Sequence, residues 1–435
     1  MRTFDTVTDL RNAVGDPLIP NEVVLLKGYN NPRQSGGGNF IWQSSPLPPD
    51  DGGVIISNGS LSGVWKRINF GWVNVKFFGA FGLGNSAHDD TDAIQNAIDY
   101  VDGNSMAGGI VYIPKGTYYL SSLTLKTGVS IYGEYVGTIL RPISDNGDSF
   151  IKLNLGPVQN VHIKNLLFVG REYNMNCFYL EAKGDPNSLA DPKVGGIWES
   201  SFENIRILNF KKNCFTFIGG GLNQLNTGPY DYLRPNQFIS MNNVTAVRHP
   251  GLANRALLLR GQNGQFIFKN CSLTSPEPSP EWNVELEGVL PKPATPGNSK
   301  INGTYPSIIN FYSCTMQDAI GAIRMNAVLN VQLNGCWFEN LNTGILVENE
   351  SRGVSVSNCR FSNVSESKSA GGGSGYVMFT TTSGAVFREN VLVGDYKGIT
   401  STSGNGGTTP VGTVNILFFS QNNLRKDSAG SNIIF

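Results

Sequence analysis

The stretch Phe266-Ile267-Phe268-Lys269-Asn270-Cys271-Ser272-Leu273 alternates apolar and polar residues up to Asn270 and then changes phase, so that Cys271 and Leu273 take the inward positions. A period of two marks a β-strand, and a phase change at a single Asn marks a tight bend between two strands. Asn suits such a bend because it tolerates left-handed backbone geometry. The same phrase occurs as Val161–Phe168, Phe202–Ile207 and Val354–Phe361. Taking Asn165 as the phase, the equivalent positions are Asn204, Asn243, Asn270, Ser313, Gly335, Asn358, Asn390 and Asn422. The intervals of 39, 39, 27, 43, 22, 23, 32 and 32 residues share a minimum near 22 with variable excess. A constant minimal turn with insertions is the mark of a solenoid whose loops project from chosen faces. The expected fold is all-β: a single-stranded parallel β-helix with an internal Asn ladder.

The repeat also sorts the cysteines. Cys271, Cys314, Cys336 and Cys359 each follow the bend, which predicts a buried column of thiols; Cys177 and Cys214 precede apolar strands and are also expected inside. No CxxC spacing or nearby His supports a metal site, and Gly219-Gly220-Gly221 and Gly371-Gly372-Gly373 lack the Lys-Ser/Thr of a phosphate loop, so no cofactor is expected. With 33 basic and 33 acidic residues the net charge is zero, which argues against a nucleic-acid or anionic-membrane partner. No run of 18 apolar residues occurs, and Met1-Arg2-Thr3-Phe4-Asp5 has no secretory core, so synthesis in a cytoplasm without a signal peptide is expected.

Residues 1–70 have a different texture. Val23–Leu26, Gly36–Trp42, Val54–Ile56 and Val64–Ile68 are short apolar runs separated by Gly, Pro and Asp, which predicts a small antiparallel β module. From Asp89 to Val101, Ile94, Ala97, Ile98 and Val101 recur at helical spacing, predicting an amphipathic helix that caps the solenoid's end. Residues 71–133 hold this helix and the first coils, and 134–435 the β-helix body.

Third strands follow a loop in each coil, among them Leu257–Arg260, Val284–Glu287, Ile323–Asn326 and Ile345–Glu348. Alternation puts Phe178, Leu180, Leu257, Leu259, Val284, Leu286, Ile323, Met325, Ile345 and Val347 inside. One outward column then reads Tyr179, Thr216, Leu258, Glu285, Arg324, Leu346, Met378, and the other Glu181, Ile218, Arg260, Glu287, Asn326, Glu348, Thr380. Glu285, Glu287 and Glu348 are therefore candidate acid/base residues, with Arg260, Arg324 and Asn326 as substrate ligands. Along a strand, alternate residues lie about 6.6 Å apart and adjacent coils about 4.8 Å apart. Inverting glycosidases need carboxyl groups roughly 6.5–9.5 Å apart. Asp318 and Glu339, further candidate catalytic acids, are expected in short loops at the patch edge, and Trp282, Tyr230 and Tyr232 in longer loops, as sugar-stacking rings beside it. The same charges also make an ion-pair ladder that solubilises an exposed β face.

The phrases "DDTDAIQNAI", "VYIPKGTYYL" and "VSIYGE" between Val73 and Gly133 resemble the opening of the pectate-lyase-like right-handed parallel β-helix superfamily. Residues 4–68, with "GGGNFIW" and "DDGGVII", resemble the small module that precedes this β-helix in bacteriophage tailspikes and capsule depolymerases. The resemblance implies a homotrimeric virion spike. Residues 1–70 would attach it to the tail, baseplate or an adaptor protein, and the β-helix would cleave a bacterial surface polysaccharide. It leaves open glycoside hydrolysis, β-elimination of a uronate polymer (for which His249 beside Arg248 is a candidate base) and a non-catalytic receptor-binding spike. A further C-terminal domain, common in such spikes, is not expected, because repeats run to Asn422.

Overall fold

A chain that reverses every five to ten residues needs bends a β-strand cannot supply, and left-handed residues supply them. In the computed structural model Asn165, Asn204, Asn243, Asn270, Ser313, Gly335 and Asn358 all have positive φ, between 53° and 65°. The structure describes residues 1–13, 21–45, 48–59, 62–104, 108–145, 149–153, 157–182, 195–220, 235–276, 279–290, 303–364, 378–380, 386–393 and 399–401. Two units result, Met1–Ser144 with Gln159–Val169, and Asp145–Val158 with Gly170–Phe435.

The first unit opens with a sheet of β1 (Thr3–Phe4), β2 (Val23–Gly28), β3 (Gly36–Gln43), β4 (Ile55–Ser57) and β5 (Val64–Arg67), ordered β1-β2-β3-β5-β4. The pairings are antiparallel except for the edge strand β1, which runs parallel to β2, a departure from the all-antiparallel expectation. A short helix, α1 (Val7–Arg11), closed by a Thr6/Asp9 capping box, lays Val7 and Leu10 on a core of Val24, Leu26, Phe40, Trp42, Ile56 and Trp65. Helix α2 (Thr91–Asn104) buries Ile94, Ala97, Ile98 and Val101, as its spacing predicts. Parallel strands then stack, Gly109–Tyr112 on Val129–Tyr132 and the latter on His162–Val169.

The second unit continues as parallel coils, a right-handed parallel β-helix. All ten residues assigned to the interior of the third strands are fully buried. Aromatic rings stack from coil to coil: Phe178 on Phe215 at 4.8 Å, Phe268 on Phe311 at 4.6 Å and Phe338 on Phe361 at 4.6 Å. That spacing is the coil repeat itself, so each ring continues the packing surface for the next. All six cysteines are buried free thiols, and burial pushes the Cys214 thiol up to about 12 against the opposing charge of Arg248.

Three details differ from the sequence reading. The Asn column is half-buried or exposed rather than internal, with Asn243 Nδ2 donating to Asn204 Oδ1 at 2.7 Å on the outside. In the next-to-last predicted coil, Glu389 takes the left-handed position (φ 54°), and Asn390 falls one place later, in line with Cys359. There it is buried, its carbonyl accepting from Cys359 N and its amide donating to Val356 O. Likewise Phe379, not Met378, aligns with Leu346, and Thr380 aligns with Val347 rather than Glu348. Asn422 lies outside the described residues.

A second bend column is invisible in the Asn pattern. Glu199, Phe238, Gln265, Ile308 and Asn330 occupy equivalent positions, all with positive φ between 50° and 60°. Ile308, β-branched and 44% exposed, gains little burial there. Left-handed geometry costs such a residue about 1–2 kcal/mol, which Asn largely avoids. Ile308→Asn is therefore expected to stabilise the fold by about 1 kcal/mol, read as a higher unfolding temperature; a lower one would mean that the Ile308 side chain is packed rather than free.

Candidate active site

Four parallel strands build the candidate face: Leu257–Arg260, Ser279–Glu287, Thr315–Asn326 and Trp337–Glu348. Register aligns Leu258, Glu285, Arg324 and Leu346 in one outward column and Arg260, Glu287, Asn326 and Glu348 in the other, as alternation alone predicts. Between them Leu257, Leu259, Val284, Leu286, Ile323, Met325, Ile345 and Val347 point inward. A two-residue period pinned by this apolar core leaves the charged residues no choice of face.

The charges are interlocked. Arg324 Nε donates to Glu348 Oε2 at 2.7 Å, and its Nη1 donates to Glu285 Oε1 at 3.3 Å. Burial works to lower the Arg324 pKa, but the bond to Glu348 and the charges of Glu348, Glu285 and Glu287 outweigh it and raise it. The other Glu285 oxygen accepts from Arg255 Nε at 2.7 Å, and Arg255 Nη2 reaches Glu281 at 3.1 Å. Arg260 grips Glu287 Oε2 with Nε at 2.7 Å and Nη2 at 2.6 Å. Glu285 is the buried member, with a side chain 9% exposed against 32% for Glu287 and 25% for Glu348. One chain of ion pairs thus runs Glu281–Arg255–Glu285–Arg324–Glu348, with Arg260–Glu287 beside it.

Arg255 and Glu281 are the residues that the strand columns do not reveal. Arg255 precedes its strand, where alternation has not yet begun, and is drawn in by Asn213 Oδ1, which accepts from its backbone N at 2.8 Å. Arg248, named from sequence only as the neighbour of His249, has a structural role here. It is 1% exposed and donates to the carbonyls of Asn254 at 2.7 Å and of Trp282 and Glu281 at 3.2 Å, which pins the incoming edge of the Glu285 strand. Burial brings its pKa down to about 10.

Other sequence candidates fall elsewhere. Trp282 lies within the strand Ser279–Glu287, not in a loop. The Trp282 ring fills the space over Gly321, where a Cβ would come within 2.1 Å of its Cζ3. Asp318 and Glu339 belong to continuous strands rather than short loops. Asp318 itself is a left-handed bend residue (φ 60°), accepting from Asn340 Nδ2 at 3.1 Å and Gln317 Nε2 at 3.0 Å. Glu339 stands one residue before the equivalent bend at Asn340 and therefore on the preceding face, beside the exposed Trp337. Tyr230 and Tyr232 lie outside the described residues. Among the described residues no group of three or more His, Cys, Asp or Glu is arranged to hold a metal ion.

In the column Arg260–Glu287–Asn326–Glu348 two carboxylates are separated by one amide-bearing strand. Their backbones are about 10 Å apart at the coil spacing, close to the carboxyl separation of roughly 6.5–9.5 Å that admits a water and a glycosidic oxygen. Asn326 Oδ1 accepts from Asn349 Nδ2.

Residues 3–70 match the family described as the phage tail protein small four-stranded beta-sheet domain, and residues 72–171 the rhamnogalacturonase A/epimerase, pectate lyase-like family. The two matches together lie within residues 3–171 of this chain. Among solved structures it resembles the enzymatically active domain of tailspike protein 2 of bacteriophage CBA120, at 15% identity and TM-score 0.64, over 92% of this chain and 56% of that one. It also resembles tailspike gp49 of Acinetobacter baumannii bacteriophage Fri1, a capsular polysaccharide depolymerase, at 16% identity and TM-score 0.57, over 91% of this chain and 70% of that one. At these identities the likeness establishes the fold. A curated relative, mannuronan C5-epimerase AlgE3 of Azotobacter vinelandii, is 41% identical over 96 residues, which is 20% of this chain and 4% of the epimerase. The chain thus spans only a small part of that relative and little more than half of the first tailspike.

The ion-pair chain makes a stability prediction. Arg324 serves two carboxylates, one of them nearly buried, whereas Arg260 serves one half-buried carboxylate. Arg324→Met is expected to cost about 1–2 kcal/mol and Arg260→Met less than about 0.5 kcal/mol, measured by denaturant unfolding. Equal costs would mean that the ladder is solvated surface.

Proposed function

We propose that this protein is a homotrimeric phage tailspike that hydrolyses a bacterial surface polysaccharide at internal glycosidic bonds. The module at residues 3–70 would attach it to the virion tail or an adaptor protein. The observation that carries the reading is the outward column in which Glu287 and Glu348 flank Asn326 on a rigid β face. The phage-tail match of residues 3–70 and the tailspike fold support it.

The residues divide the work by how they are held. Glu287, gripped by two nitrogens of Arg260, is the base that activates water. Glu348, on a single bond from an arginine it shares with Glu285, is the acid that protonates the leaving oxygen. Attack and departure on opposite faces of the sugar ring require that water have its own space, which Asn326 borders. Glu285 keeps Arg255 and Arg324 in place and does not itself transfer a proton. Asp318 and Glu339 stand outside this machinery.

A second reading, β-elimination, draws on the arginines and on the epimerase and alginate lyase relatives, whose names place them on uronate polymers. There Arg324 or Arg260 would neutralise the uronate carboxylate.

Glu287→Gln and Glu348→Gln are each expected to lower the release of reducing ends from purified surface polysaccharide by about 10²–10⁴-fold, and Glu339→Gln to leave it unchanged. Full activity in both Gln variants would overturn the assignment, and unsaturated uronate products would favour elimination.

A further inference from the structure

The first unit contains a second site with no part in this chemistry. A cleft of about 420 Å³ is lined by Asn39, Asn69, Trp72, Asn74 and Tyr112, with Arg67 in its wall. Its outer edge is a ladder read directly from register: Asn74 pairs with Tyr112, Tyr112 with Tyr132, and Tyr132 with Lys164, each step one coil. Trp72 stands beside this ladder with half its surface in solvent (53%), braced edge-on by Tyr112 and Tyr132 at 5.8 Å each. Leaving an indole this exposed gains little for folding, and two tyrosines hold it in one orientation.

The Tyr112 hydroxyl is committed, donating to Glu134 Oε1, but the neighbouring amides are not. Among the described residues the side-chain amides of Asn39 and Asn69 make no hydrogen bond, and Asn74 uses only its oxygen, which accepts from Lys76 N at 2.9 Å. Asn69 is held left-handed (φ 57°) at the rim. The wall is prebuilt: Arg67, 2% exposed, lies between the rings of Phe40 at 4.5 Å and Phe77 at 4.0 Å and donates to the carbonyls of Gly36, Gly37 and Gly53. A rigid cleft with a fixed aromatic platform and free neutral amides suits a ligand with flat C–H faces and many hydroxyls.

We infer that the Trp72 cleft is a saccharide-binding site, separate from the carboxylate face and independent of any catalysis there. It takes a short pyranose chain laid along the Trp72–Tyr112–Tyr132 ladder, with ring faces on the aromatic side chains and hydroxyls on Asn39, Asn69 and Asn74. Its occupant is a glycan rather than a nucleic acid, because the chain carries no net positive charge to hold a phosphate backbone.

The test is binding of the full chain to an array of bacterial surface oligosaccharides, comparing wild type with Trp72→Ala, Asn39→Ala and Glu287→Gln. Trp72 and Asn39 are kept apart from the core, and an unchanged unfolding temperature checks the fold. The expected result is at least one glycan whose apparent affinity falls tenfold or more in Trp72→Ala and severalfold in Asn39→Ala, but not in Glu287→Gln. No glycan signal that depends on Trp72 would overturn the inference, as would loss of virion incorporation in Trp72→Ala without any glycan effect, which would point to a protein occupant. Trp72-dependent binding by a chain that cleaves nothing would uphold this site and defeat the proposed hydrolysis; cleavage without Trp72-dependent binding would do the reverse.

Discussion

Everything in the second unit depends on parallel coil-to-coil hydrogen bonding held in one register by left-handed bends. Each bend turns the chain without consuming a strand residue, so a residue keeps its face from coil to coil and columns form. Phenylalanines then stack on phenylalanines, thiols on thiols, and carboxylates come beside guanidinium groups. A one-residue slip would send every apolar side chain to solvent, which is why so long a chain of repeats tolerates insertions between coils but not within them.

The candidate face is a consequence of that constraint. Burial of Val284, Leu286, Ile323, Met325, Ile345 and Val347 forces Glu285, Glu287, Arg324, Asn326 and Glu348 outward in two rows. Arginines on neighbouring strands then pair with the acids, and the pairing differs from acid to acid: Glu285 is locked between two guanidinium groups, Glu287 is clamped by one, and Glu348 is tethered by one bond. Rigid scaffold and unequal restraint are together what acid/base chemistry on a flat β face requires.

Alternation and the Asn phrase made the fold and these columns legible, because both follow from a period of two and a bend at fixed phase. What they hid has physical causes. Arg255 acts from outside its strand, so no column contains it. Asp318 looked like a loop acid, yet its short side chain serves the bend, where Asp tolerates left-handed geometry as Asn does. Glu389 and Asn390 exchanged roles because the buried place after the bend accepts a small polar side chain once its amide is satisfied, as Asn390 does with Cys359 N and Val356 O. Phe238 and Ile308 occupy left-handed positions that residue preference alone argues against.

The most direct measurement of the central claim is the anomeric configuration of the first product, followed by proton NMR while purified polysaccharide is digested. With Glu287 and Glu348 acting as the proposed base and acid across the Asn326 strand, the new reducing end should first appear with inverted configuration. Retention, which requires a nucleophile about 5 Å from the acid, would contradict the account, as would an unsaturated product.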